Sequence, residues 1–525
     1  MKTREAGMER TPGARRTFRK SALTLALATA FVGIAGPAQA QTPAQVPLFL
    51  TSPVDPNILF LIDDSGSMQW ETMPDELTTR FGSGLNTDYV MWTFPRVANL
   101  HGGSPQYSNR RTVRFSDTDM AAMYRSSDFN TVYYDPSVTY EPWSLPDGSR
   151  MPDADPASAP NRPLFSDYGE RDLTSSNRQW ARWLNDDGGH SSGFKNFWPA
   201  AYYYYTGGPE DDRSSYEFVQ IHSGNDAYSG HGRESRVDCD GGVCTYEQEI
   251  QNFANWYSYH RNRIFASRAG IGAAFADQGE EFRVGYGSIN RGVISGVRPF
   301  AGSDREDFFE ELYEQDVPAA GTPLRTALQA AGTYFGRDDD RGPWSETPGE
   351  RGDPRGAHLE CRQSYTILMS DGYWNGPSPR VGNVDDAQGT EHQRSDGQET
   401  YQYIPSAPFR DGHSNTLADV AMEYWKNDLR DDLENAVPTD ARNPAFWQHM
   451  VTYTVGLGVE GEVDPQEAFA AIATGEEIDW PDPHSSDSAK IDDMLHAAVN
   501  SRGDFFSALN STNKCNATSC GASPR

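Results

Sequence analysis

Pro56-Asn57-Ile58-Leu59-Phe60-Leu61-Ile62-Asp63-Asp64-Ser65-Gly66-Ser67-Met68 runs from an unbroken apolar strand straight into a cluster of oxygen-bearing side chains. A continuous apolar run of this length, bounded by turn residues, reads as a strand buried on both faces, the kind found in parallel sheets. Asp63, Ser65 and Ser67 follow it with the spacing Asp-x-Ser-x-Ser. That spacing turns one carboxylate and two hydroxyls toward a single point at the carboxyl end of the strand, where open α/β sheets bind ligands. Hard oxygen donors of this kind suit a divalent cation. Asp64 reads as a solvated neighbour and is left out of the ligand set.

Strand and helix signals alternate further along the chain. Helical spacing runs from Gln251 to Ala276, Phe282 to Ile289 reads as a strand, and Asp304 to Glu314 as a short acidic helix. Pro323 to Phe335 reads as a helix entered through Gly321-Thr322, with proline at its first position. Tyr365 to Gly372 is a second buried strand ending in an acid, Asp371. The polar loop Tyr373 to His413, a helix over Thr416 to Arg430, a strand over His449 to Leu457 and helices over Pro465 to Ala473 and Ala489 to Asn500 complete the pattern. Such alternation predicts an α/β fold with a mostly parallel sheet flanked by helices. Between Glu71 and Glu247 the rhythm breaks down into a stretch dense in Tyr, Trp, Asp, Gly, Ser and Pro. It reads as a large aromatic-rich insertion after the first strand, ordered because it has apolar surface to bury.

Residues 1–40 combine a basic stretch (Arg15, Arg16, Arg19, Lys20), an apolar run from Ala22 to Ile34 and an Ala-x-Ala type site at Ala38-Gln39-Ala40. This is the pattern of a signal peptide, by the general or the twin-arginine route. The expected segments are therefore 1–40 signal peptide, 41–70 first strand and metal loop, 71–247 insertion, 248–509 remainder of the domain and 510–525 polar tail. Removing the seven Lys or Arg and two Glu of residues 1–40 from the formal charge of −30 leaves −35 on the remainder. So acidic a chain is no nucleic-acid binder. No second long apolar run follows residue 40, so no transmembrane anchor is expected after cleavage.

The five cysteines fit an exported chain with few disulfides. Local bridges Cys239–Cys244 and Cys515–Cys520 are expected, with the pairing of Cys361 left open. Gly189-His190-Ser191-Ser192-Gly193 satisfies the nucleophile-elbow spacing, but loop residues precede Ser191 where a strand is needed. Arg351-Gly352-Asp353 sits in a Pro/Gly-rich loop and is a candidate adhesion tripeptide, whereas Arg502-Gly503-Asp504 lies in a helix-to-strand element and reads as structural. The eleven histidines show no zinc-type spacing and read mostly as surface or loop residues.

Asp63, Ser65 and Ser67 after the first strand, Thr322 before a helix and Asp371 after a later strand resemble a von Willebrand factor A-type domain. The resemblance implies a metal-ion-dependent adhesion site with these five residues as ligands, directly or through water. Mg2+ is the expected ion, with Ca2+ or Mn2+ as alternatives, and a partner's carboxylate would complete the coordination shell. A narrower resemblance rests on Tyr133-Tyr134-Asp135-Pro136, Asn252-Phe253-Ala254-Asn255-Trp256-Tyr257, Trp447-Gln448-His449-Met450 and His496-Ala497-Ala498-Val499-Asn500, among other stretches. These are similar to PilY-type type IV pilus tip adhesins over about residues 55 to 509.

That similarity implies a non-enzymatic role in pilus biogenesis and attachment, at the periplasm, pilus tip or cell surface of a Gram-negative bacterium. Its implied partners are minor pilins or other pilus proteins and a host or surface ligand carrying a carboxylate. Members of that family usually continue into a β-propeller with a calcium loop, so the expectation is a truncated, frameshifted or split member. A periplasmic scaffold unrelated to pili is the alternative, and a serine hydrolase using Ser191 a distant third.

Overall fold

The computed structural model describes residues 54–79, 91–95, 97, 99–102, 119–184, 190–339, 341–345 and 358–508. The apolar run forms strand β1, Asn57–Ile62, buried at every position. A strand buried on both faces needs paired neighbours on both edges and cover above and below. On one edge β1 pairs in parallel with β2, Arg283–Ser288, which pairs antiparallel with β3, Gly292–Pro299. On the other edge β4 (Ser364–Ser370), β5 (Val451–Leu457) and β6 (Phe505–Ala508) follow, all parallel. The strand order is thus 3-2-1-4-5-6, a mixed six-stranded sheet. The order reverses between β1 and β4, and their carboxyl ends form the crevice where such sheets take ligands.

Alternation along β1 feeds two cores. Ile58, Phe60 and Ile62 pack on one face with helices α1 (Tyr246–Tyr259), α2 (Arg263–Ala276) and α3 (Gly302–Glu314). Leu59 and Leu61 pack on the other with α4 (Leu324–Phe335), α5 (Leu417–Lys426) and α7 (Ser488–Asn500), while α6 (Pro465–Thr474) lies alongside α7. The aromatic stretch joins the first of these cores. Tyr133, Tyr134, Tyr140 and Trp143 are buried there, with Trp143 stacked on Tyr313 at 4.8 Å and its Nε1 donating to Tyr259 O at 2.8 Å. Around them lie short hairpins such as Asn177–Leu184 with His190–Phe197 and Ala201–Tyr205 with Tyr216–Gln220.

Several local expectations are corrected. The helical stretch from Gln251 to Ala276 is two helices, because Asn262 leaves the helical conformation and its side chain caps α2 by accepting from Phe265 N. Pro323 occupies the N-cap of α4 and not its first turn. Strand β3 has no counterpart in the sequence reading: it is a half-exposed edge strand without an apolar run. A small hairpin, Glu391–Gln393 with Thr400–Gln402, punctuates the loop after β4. Among the described residues no helix is long and apolar enough to cross a membrane.

Candidate functional site

Strand β1 ends at Ile62, and the chain turns at once because Asp63 Oδ1 accepts from Ser65 N at 2.7 Å. The turn brings Ser65 Oγ within 3.0 Å of Ser67 Oγ, and Ser67 Oγ donates to Asp371 Oδ1 at 2.9 Å across the switch point. The last residue of β4, Ser370, closes the circuit by donating its Oγ to Asp63 Oδ2 at 2.5 Å. Asp63, Ser65, Ser67 and Asp371 are therefore gathered into one oxygen-rich cluster, with only Ser67 more than marginally exposed.

Thr322 sits on the neighbouring loop. That loop is stitched to the first by a bridge between Ser65 and Ala320 and by Gly66 N donating to Ala320 O at 3.0 Å. It is tied to the third through Asn375, whose Oδ1 accepts from Thr322 N at 3.0 Å and whose N donates to Thr322 O at 2.9 Å. A Cβ at 321 would lie 2.5 Å from Asn375 Oδ1 and so displace the amide that holds Thr322.

Asp64 is no solvated neighbour. It is buried and points away from the cluster, accepting from Ser288 Oγ at 2.8 Å and from both Asn290 N (3.0 Å) and Asn290 Nδ2 (2.8 Å). Asn290 Nδ2 also donates to Gly321 O at 3.0 Å, so Asp64 braces the first two loops against β2. The sequence reading also missed Arg263, at the start of α2. Its Nη1 donates to Asp371 Oδ2 at 2.7 Å, its Nη2 lies 2.6 Å from Asp75 Oδ1, and its Nε donates to Thr72 O at 2.8 Å. A residue 108 positions from Asp371 leaves no signal in local spacing.

Burial pushes both carboxyls of the cluster toward their neutral forms. Burial, and next the charge of Asp371, push the Asp63 carboxyl up to about 8, against the hydrogen bonds from Ser370 and Ser65. Burial also raises Asp371, although Arg263 opposes the shift. Two buried carboxylates that resist being ionised together, lined by neutral hydroxyls, offer the kind of oxygen donors that a small hard cation takes. The residues present fit such an ion.

The other candidates separate clearly. Cys239 and Cys244 form a disulfide within a tight turn, and Cys361 is a half-buried free thiol. Ser191 lies in a hairpin strand opposite Trp183, and the next regular element is the strand Ala201–Tyr205, so the strand-turn-helix of a nucleophile elbow is not formed. Arg502 is buried against Phe409 and Trp425, and Asp504 pairs with Arg442 at 2.9 Å, so that tripeptide is structural. Arg351, Gly352, Asp353, Cys515, Cys520 and residues 1–40 lie outside the described residues. Four histidines expected at the surface or in loops, or not singled out, are buried: His101, His392, His449 and His496. One of them belongs to a second group, Asp385, Asp411 and His496, whose ligand atoms lie within 4.8 Å of one another and could hold a metal ion.

No family model and no solved structure matches the chain. Over 514 residues, 90% of its length, it is 30% identical to the Type IV pilus biogenesis factor PilY1 of Pseudomonas aeruginosa strain PAK. Over 519 residues it is 31% identical to the protein of the same name from strain PAO1. Each match covers 38% of the relative, so the chain spans well under half the length of the curated proteins it matches. Across nine-tenths of its own length, the chain is PilY1-like.

Proposed function

We propose that this chain is an exported, metal-dependent binding module of a type IV pilus, built on a von Willebrand factor A-type domain. Asp63, Ser65, Ser67, Thr322 and Asp371 would hold the ion, Mg2+ before Ca2+ or Mn2+, and an acidic group of a partner would take its open position. The observation that carries this reading is the hydrogen-bonded quartet of Asp63, Ser65, Ser67 and Asp371 at the switch point of the sheet. Its support is chemical. Hydroxyl ligands add no charge, so an ion held by them and by two carboxylates, one already engaged by Arg263, keeps affinity for a further anion.

The chain's own residues have positioning roles. Ser370 and Ser65 N orient the Asp63 carboxylate, Arg263 fixes one oxygen of Asp371 while the other faces Ser67, and Asn375 holds the Thr322 loop in register. No general base and scissile group are arranged here, so the site is read as a binding device and not a catalyst. The PilY1 relatives, named as pilus biogenesis factors, support placing the partner among minor pilins or other pilus proteins.

Pull-down of minor pilins by the purified chain tests the reading. Capture should require Mg2+, fail in chelator and fail for Asp63→Asn, while deletion in the cell should abolish piliation or attachment. Capture that ignores chelator removes the metal from the mechanism. A metal-responsive chain whose deletion leaves piliation intact would favour a periplasmic scaffold.

A further inference from the structure

The loop after β4 and helix α7 meet in a buried group that the adhesion site does not use. His496, on α7, is 2% exposed, and its Nε2 donates to Phe409 O at 2.7 Å while Trp480 stacks on the ring at 4.0 Å. An imidazole whose Nε2 hydrogen is committed to a carbonyl keeps its lone pair on Nδ1, the arrangement that second-shell carbonyls impose on metal-binding histidines. Asp411 Oδ2 lies 3.5 Å from Nδ1, and Asp385 Oδ2 lies 3.8 Å from the ring at Nε2. Both gaps exceed the roughly 2.7–2.9 Å of a charge-assisted hydrogen bond. Donors sharing a tetrahedral ion at about 2.0–2.2 Å stand roughly 3.4 Å apart.

The carboxylates are held for this geometry from behind. Asp411 Oδ1 accepts from His413 N at 2.7 Å, which leaves Oδ2 toward the imidazole, and Asp385 accepts from Asp411 N at 3.2 Å and from Asn500 Nδ2 at 2.9 Å. Asn500, fully buried, completes this support, its Nδ2 shared between Asp385 Oδ2 and, at 3.3 Å, Ala418 O.

We propose that Asp385, Asp411 and His496 form a structural Zn2+ site that pins the loop after β4 to the last helix. Mixed imidazole and carboxylate donors in a closed, protein-lined space suit Zn2+, whereas Mg2+ and Ca2+ prefer oxygen-only shells that keep water. The site is independent of the one at Asp63, which presents oxygen donors alone.

The test uses the untagged chain, stripped with chelator and titrated with Zn2+ in the presence of excess Mg2+. About one Zn2+ per chain should bind and raise the melting temperature, and Co2+ loaded in its place should give the intense visible absorption of a tetrahedral centre. Asp411→Asn, which keeps the shape of the side chain, should weaken Zn2+ roughly tenfold or more, as should His496→Gln, while Asp63→Asn leaves it unchanged. Absence of Zn2+ uptake by the wild-type chain overturns the proposal and leaves His496 as an imidazolium between two carboxylates. Uptake that Asp411→Asn and His496→Gln both leave intact overturns it equally. Should His496→Gln fail to fold, the Co2+ spectrum of the wild-type chain and the Asp411→Asn titration still decide.

Discussion

Glu249 and Asp63 are both carboxylates with no solvent exposure, and they represent opposite solutions to burying a charge. Glu249, on α1, is ringed by donors: Arg233 Nη2 at 2.6 Å and Nε at 3.1 Å, Arg236 Nη1 at 2.5 Å and Tyr134 OH at 3.0 Å. Positive charge there exceeds negative, and Arg236 spends its surplus on Asp238 at 2.6 Å. Asp63 receives neutral donors only, and its nearest charged neighbour is another carboxylate, Asp371. A carboxylate matched by protein cations belongs to the scaffold; one left unmatched beside another has the environment that the proposed ion would neutralise.

The largest effect expected from that contrast is at Glu249. Replacing it with Gln leaves the buried Arg233 guanidinium without its counter-charge and Arg236 with Asp238 alone, and losing one partner of such a buried pair costs about 3–5 kcal/mol. Urea denaturation of Glu249→Gln should show a loss in that range, with the aromatic core of Tyr134, Tyr202 and Trp256 loosened around it. A loss well under 1 kcal/mol would mean that the arginines find other partners and that the matching is incidental.

His449 sharpens the comparison from the neutral side. Its Nδ1 donates to Trp447 O at 2.7 Å and its Nε2 accepts from Asn443 Nδ2 at 2.9 Å, with the Asn443 amide fixed by Trp425 Nε1 donating to its Oδ1 at 3.0 Å. Only the neutral ring fits, since a proton on Nε2 would face another donor. Burial lowers this imidazole from 6.5 to about 4. The folded value lies below the unfolded one, so the stabilisation is fully present above pH 6.5 and is lost as pH falls toward 4. The window corresponds to about 3 kcal/mol. Denaturation midpoints of wild type and His449→Gln should converge between pH 6.5 and 4; parallel curves would remove His449 as the source of acid sensitivity.

How much of this was legible in the sequence follows from how far apart the interacting groups lie. Asp63, Ser65 and Ser67 were readable because a buried strand and the candidate ligands after it occupy a dozen consecutive residues, and Asp371 because it repeats the pattern of an apolar run ending in an acid. Thr322 needed the family resemblance. Arg263 was invisible because α1 and α2 read as one helix, and the break that aims it at Asp371 depends on the Asn262 cap. Asp64 was misjudged since its partners, Ser288 and Asn290, lie more than 220 residues on. His496 and its carboxylates carry no spacing signal at all, because the loop fold alone brings residues 385 and 411 to helix α7.

The mismatch at Asp63 predicts a response to ions that Glu249 cannot show. Mg2+ at about a hundred times its dissociation constant should stabilise the chain by about 2.7 kcal/mol. Asp63→Asn should abolish that gain while leaving the metal-free chain no less stable, because a carboxyl pushed up to about 8 is mostly protonated at neutral pH and the amide is a neutral group of the same shape. Thermal melts with and without Mg2+ check both halves, and a metal-free Asp63→Asn that unfolds early would show Asp63 to be scaffold.

Thr322→Ala should have the smallest effect and the most diagnostic one. The bonds that stitch its loop use Thr322 N, Thr322 O and the side chain and backbone of Asn375, and all of these survive the substitution. Only the hydroxyl is removed, so the metal-free stability should hold while Mg2+ affinity falls roughly tenfold, about 1.4 kcal/mol. Calorimetric titration of Mg2+ into the two chains measures this directly. Equal affinities would confine the ligand set to Asp63, Ser65, Ser67 and Asp371 and leave the second loop a brace for the first, as Asp64 and Asn290 already make it on the other side.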